Sequence, residues 1–123
     1  MNKELWEKAV EFHGHQCVGL ALGFRMGEEA KRIFGTNAEI YCKIPSKNCI
    51  TDGITVTTGA SLENGRNQID GNVKKHIFYV LDDEEGWAIA RKEMEFPGGK
   101  DPVAATLACD RDFLFTIEPC DMD

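Results

Sequence analysis

Two imidazoles and a thiol fall within five positions at Phe12-His13-Gly14-His15-Gln16-Cys17, and two of the chain's three histidines are among them. They stand where a helix is predicted to begin. The dipole at a helix N-terminus stabilises a thiolate in the first turn, which favours metal ligation or nucleophilic attack. His15 and Cys17, two apart, point opposite ways along a strand but converge where the chain turns into a helix. That is donor geometry for zinc or another divalent transition metal. The ordinary alternative is a histidine helix cap beside a small buried thiol, since free cysteine packs as a hydrophobe. No CxxC occurs in the chain, so a zinc finger is excluded and further ligands must come from elsewhere.

Cys49, followed three residues on by Asp52, is the best further donor. On a helix that spacing puts thiolate and carboxylate on one face. Three protein ligands with an open fourth position would form a catalytic or exchange site and not a closed structural one. Taken singly, Cys49 reads as core packing and Asp52 as a turn residue before Gly53. Cys42 and Cys109 read as core, Cys120 as a spare thiol in the tail, and His76 as a surface or half-buried ring. The rival chemistry for the first cluster is nucleophilic catalysis, with Cys17 attacking and His13 or His15 as base. It needs an orienting third group and an oxyanion site, which the sequence does not locate. Neither a Walker loop nor a Rossmann fingerprint is present.

The elements that must position these residues are legible from periodicity. Leu5, Trp6, Ala9 and Val10 form one helical stripe over Lys3–Phe12, with Asn2 as N-cap. A second helix is predicted from Cys17 to Phe34, stopped by Gly35. Gly19, Gly23 and Gly27 recur along it, although each costs about 1 kcal/mol relative to alanine in a helix interior. Close approach of another helix or a ligand would offset that cost, and a second copy of the chain is one candidate partner.

Ile40, Cys42 and Ile44 alternate with Glu39, Tyr41 and Lys43, the pattern of a strand with one buried face, ended by Pro45. The stretch from Ser46 to Gly59 is ambiguous. Its β-branched run Ile54-Thr55-Val56-Thr57-Thr58 favours strand, whereas Ser46 as N-cap, the Ile50/Ile54 pair and Gly59 favour helix. Asn64-Gly65 and Asp70-Gly71 mark a loop, Lys75–Leu81 a strand, Asp82–Gly86 a turn and Trp87–Arg91 a return strand. Pro97-Gly98-Gly99 breaks the chain before a short helix begun by Asp101-Pro102 and reaching about Cys109. Phe113–Ile117 gives a last strand, and the acidic tail from Glu118 is expected to be loose. Helices mix with antiparallel-capable strands without a βαβ rhythm, so the expected class is α+β, with N-terminal helices packed on a mostly antiparallel sheet.

At 123 residues, 42% of them hydrophobic, the chain suffices for one packed core, and a single domain over 1–123 is expected. The uncharged run Phe12–Phe24 is too short to cross a bilayer, so no membrane association is expected. The N-terminus lacks a secretory h-region, and a cytoplasmic location is expected. A formal charge of −7 repels phosphate backbones, and the one compact basic cluster is Lys74-Lys75-His76, so no nucleic-acid partner is expected. Five cysteines without an export signal point to reduced thiols.

Phe12-His13-Gly14-His15-Gln16-Cys17-Val18-Gly19-Leu20-Ala21-Leu22-Gly23-Phe24-Arg25, then Cys49-Ile50-Thr51-Asp52-Gly53-Ile54 and Thr58-Gly59-Ala60-Ser61, resemble the core domain of the FmdE family of formylmethanofuran dehydrogenase proteins. The family pattern is close to F-H-G-H-x-C-P-G-L-x-x-G-x-R, C-x-x-D-[AG]-[IV] and T-G-[CA]-[TS]. The resemblance implies an intertwined homodimer, which would give the glycine face its partner, and a helical segment around Cys49. It also implies a metal pocket at His15, Cys17 and Cys49, with His13 and Asp52 as adjacent candidates. The implied role is that of a metal-binding accessory protein linked to a molybdenum or tungsten oxidoreductase, in metal or cofactor handling. A small metal- or thiol-dependent enzyme using Cys17 and a histidine is the alternative. Three departures stand out: Val18 replaces the usual proline, Ala60 replaces a frequent cysteine, and no C-terminal zinc ribbon is expected.

Overall fold

The computed structural model describes residues 2–81, 85–92 and 101–121. Asn2 caps the first helix, α1 (Lys3–His13), by accepting the Leu5 amide on its side chain at 3.0 Å. Gly14 ends that helix in the left-handed region at φ 99°, which a side chain would strain, and its amide donates to Val10. The long helix α2 (Val18–Phe34) follows, and its central turns from Leu20 to Gly27 are buried all round. Strand β1 (Tyr41–Ile44) buries Cys42 and Ile44, as the alternation predicts.

Helix α3 (Cys49–Thr58) resolves the ambiguous stretch in favour of helix. Its β-branched residues are reconciled with that state by their hydroxyls. Thr55, Thr57 and Thr58 donate to carbonyls of the preceding turn at 3.1, 2.9 and 2.7 Å. The N-cap is Asn48 and not Ser46, because Asn48 and Thr51 close a reciprocal capping box.

The glycine face of α2 is filled from within the same chain. A Cβ placed on Gly23 would lie 2.0 Å from the Ile50 carbonyl oxygen, and one on Gly53 would lie 2.4 Å from the Phe24 nitrogen. The α2 and α3 backbones therefore touch, and this contact offsets the glycine cost. A second copy is not needed to cover that face, contrary to the expectation drawn from the intertwined dimer.

The sheet runs β2-β1-β3-β4-β5, with β2 (Asn67–Ile69), β3 (His76–Tyr79), β4 (Glu85–Arg91) and β5 (Phe115–Asp121). All neighbours are antiparallel except β1 and β2, which are parallel across the α3 crossover. Residue pattern does not announce that single βαβ unit, because β2 is a three-residue strand between two turn signals. The class is α+β with a mostly antiparallel sheet. Leu22, Met26 and Ala30 of α2 and Ile54 of α3 pack on Ile40, Cys42, Ile44, Phe78 and Ile89. Trp6 and Ala9 of α1 join Leu20, Ala21 and Phe24 in a second cluster.

Helix α4 (Pro102–Ala108) begins as the Asp101-Pro102 signal predicts, and a short α5 (Arg111–Leu114) leads into β5. The buried Arg25 guanidinium donates to the Thr106 and Leu107 carbonyls at 2.8 and 3.1 Å, fastening the end of α4 to α2. The residues from Glu118 to Asp121 are not a loose tail: they pair with β4 down to Glu85. The Asp82–Gly86 turn falls partly, and the Pro97-Gly98-Gly99 break wholly, outside the described residues. No helix is long and apolar enough to cross a membrane among the described residues.

Candidate metal centre

The left-handed Gly14 folds the chain back at the end of α1, so His13, the last residue of that helix, faces the start of α2. Cys17 is the N-cap of α2, and its sulfur accepts the Leu20 amide at 3.4 Å. One ligand atom from each of His13, His15 and Cys17 lies within 4.8 Å of the others. His13 Nε2 is 3.7 Å from Cys17 Sγ. The His13 and His15 ring centroids are 4.6 Å apart. His13 and Cys17 are partly buried and His15 is exposed.

Those distances can be compared with bond lengths. Zn–S near 2.3 Å and Zn–N near 2.0–2.1 Å at a tetrahedral angle set the S···N edge at about 3.6 Å. The His13–Cys17 separation of 3.7 Å already matches it. A span of 4.8 Å exceeds the about 4.4 Å that two such donors reach on opposite sides of one ion, so His15 has to swing inward. Its exposed ring makes a 3.3 Å contact with the Gln16 carbonyl, which that swing would break.

Cys49 opens α3 beside Cys17. A hydrogen bond to Cys17, and then burial, raise its thiol above the ordinary range. The absent side chain of Gly19 makes room for it, since a Cβ there would stand 2.8 Å from the Cys49 Cβ. The structure thus brings the two sulfurs together, although Cys49 is not one of the three tightly clustered donors. Asp52 lies on the other side of His13, with Oδ2 2.7 Å from Nδ1. Residue types alone could not reveal that pairing, which spans 39 positions.

The remaining thiols and His76 fall elsewhere. Cys42 is fully buried in the core, where burial pushes its thiol up. Cys109 ends α4 only partly buried, because the helix stops there and turns its cap outward. Cys120 pairs opposite Gly86 on β5. His76 is more deeply buried than expected, and burial lowers its pKa to about 4.

Residues 12–110 match the sequence model of the family described as FmdE, molybdenum formylmethanofuran dehydrogenase operon, and the chain belongs to that family. Its fold is similar to the crystal structure of an FmdE-like protein of tungsten formylmethanofuran dehydrogenase from Syntrophus aciditrophicus. The TM-score is 0.74 at 15% identity, over 98% of this chain and 72% of that one. A probable S-adenosyl-L-methionine-binding protein of Archaeoglobus fulgidus is 38% identical over 65 residues, 46% of this chain and 18% of that protein. The chain therefore matches less than a fifth of that relative's length.

Proposed function

We propose that this chain is a metal-binding accessory protein that holds a divalent transition metal, zinc by its donor set, at His13, His15 and Cys17, with Cys49 as a further sulfur donor. The convergence of three donor atoms within 4.8 Å carries this reading. Mixed imidazole and thiolate ligands suit zinc among the common ions. Membership of a family described by a molybdenum formylmethanofuran dehydrogenase operon supports a role beside such a molybdenum or tungsten enzyme, in metal or cofactor handling. A cytoplasmic homodimer is the proposed form. The ion would supply Lewis acidity or a place of transfer. The chain's own residues hold the donors, with α1 presenting His13 and the N-terminus of α2 presenting Cys17.

One observation favours a second reading, a thiol-dependent enzyme. Cys17, His13 and Asp52 stand in the order nucleophile, base and orienter, at 3.7 and 2.7 Å. Elemental analysis of protein purified without an affinity tag separates the two. Stoichiometric metal that disappears in Cys17→Ser, with the fold intact, supports the metal centre. A metal-free protein whose Cys17 alkylates rapidly supports the enzyme.

A further inference from the structure

We infer that Asp52 is a positioning residue, which fixes the His13 ring for metal binding without itself touching the ion. This deepens the metal-centre reading and rests on it. Asp52 Oδ2 lies 2.7 Å from His13 Nδ1, and the His13 side chain is only 12% exposed. A carboxylate at that distance accepts the Nδ1–H, so the ring keeps its lone pair on Nε2. Nε2 is the atom that faces Cys17 Sγ at 3.7 Å. The carboxylate thus selects the tautomer that presents a lone pair to the site.

Geometry separates this role from ligation. The two ring nitrogens point in divergent directions, so an ion on Nε2 lies roughly 6 Å from Oδ2, far beyond the about 2.0–2.2 Å of a metal–carboxylate bond. Ligating imidazoles commonly give their other N–H to a carboxylate, which orients the ring and raises its basicity. Here the carboxylate comes from the first turn of α3 and the ring from the last turn of α1. The contact therefore also registers one helix against the other. The i, i+3 spacing of Cys49 and Asp52 suggests two ligands on one face, but the structure divides the labour. Cys49 stands beside Cys17, and Asp52 stands behind His13.

The test compares the full chain with Asp52→Asn and Asp52→Glu. Zinc affinity is measured by competition with a chromogenic chelator, and the ligand shell by X-ray absorption. The tautomer of His13 in metal-free protein is read by nitrogen NMR. Asp52→Asn is expected to weaken zinc binding about ten- to a hundredfold while leaving the nitrogen and sulfur shell unchanged. Asp52→Glu is expected to recover part of the loss. The wild-type ring is expected to carry its proton on Nδ1, and Asp52→Asn to lose that preference. Unchanged affinity in Asp52→Asn, or loss of an oxygen donor from the ion, overturns the inference. A chain that takes up no zinc overturns the metal-centre reading instead. The metal-free ring spectra then decide the positioning step alone, and a proton on Nε2 in wild type overturns it.

Discussion

Cys49 packs its Cβ into the space that Gly19 leaves on α2, and a Cβ at Gly19 would approach it to 2.8 Å. A missing side chain on one helix thereby sets the position of a thiol on the next. Gly19→Ala is expected to push Cys49 away from Cys17 and to weaken zinc binding while the circular dichroism spectrum stays native. Undiminished affinity in this variant would show that the distance between the two sulfurs does not matter.

Deeper along the same crossing the tolerance vanishes. A Cβ at Gly23 would stand 2.0 Å from the Ile50 carbonyl oxygen, which is backbone and cannot rotate aside. Gly23→Ala is expected to cost about 3 kcal/mol or more in urea denaturation, the upper part of the range for overpacked cores. At Gly71, by contrast, nothing lies within 4 Å. Gly71→Ala is expected to be neutral or to stabilise by about 0.4–1 kcal/mol through the unfolded chain. Equal effects at the two positions would refute the helix contact.

How much of this could be read from the residues follows the range of each interaction. The stripe Leu5, Trp6, Ala9 and Val10 and the alternation at Ile40, Cys42 and Ile44 are local, and α1 and β1 appear where they point. The threonines of α3 mislead, because their β-branching argues for strand until their hydroxyls find carbonyls one turn back. The residues after Ile117 look loose because their partner strand is 26 or more positions away. In the candidate site the donors are legible from the short His-Gly-His-x-Cys spacing. Which residue faces which is not, since the Asp52–His13 contact depends on how three helices meet.

His76 ought to leave a signature in acid. Its folded pKa is lowered to about 4 from an ordinary 6.5, because burial disfavours the charged ring. Between those values the unfolded chain binds the proton more readily than the folded one. Stability from this residue is therefore complete above pH 6.5 and is lost as pH falls toward 4, by up to roughly 3 kcal/mol. The Nε2 atom has no hydrogen-bond partner among the described residues, so an apolar replacement leaves no orphaned group. Urea denaturation of wild type and His76→Leu between pH 7.5 and 4 is expected to show the acid slope flattened in the variant. An identical slope in both would remove His76 as its source.

Arg25 should report on the C-terminal helix. Its guanidinium holds the carbonyls of Thr106 and Leu107 from a buried position on α2. Arg25→Met is expected to cost about 1.5–3 kcal/mol, as for hydrogen bonds to a charged group, and to speed amide exchange first in α4. Protection in α4 that is unaltered would mean that other contacts hold it.

The proposed ion itself is reached most directly by X-ray absorption at the metal edge, on untagged wild type and on Cys17→Ser. The expected wild-type spectrum has a mixed shell of nitrogen and sulfur, with sulfur at about 2.3 Å that diminishes in the variant. Protein that retains no metal, or an ion surrounded by oxygen alone, would contradict a centre built from His13, His15 and Cys17.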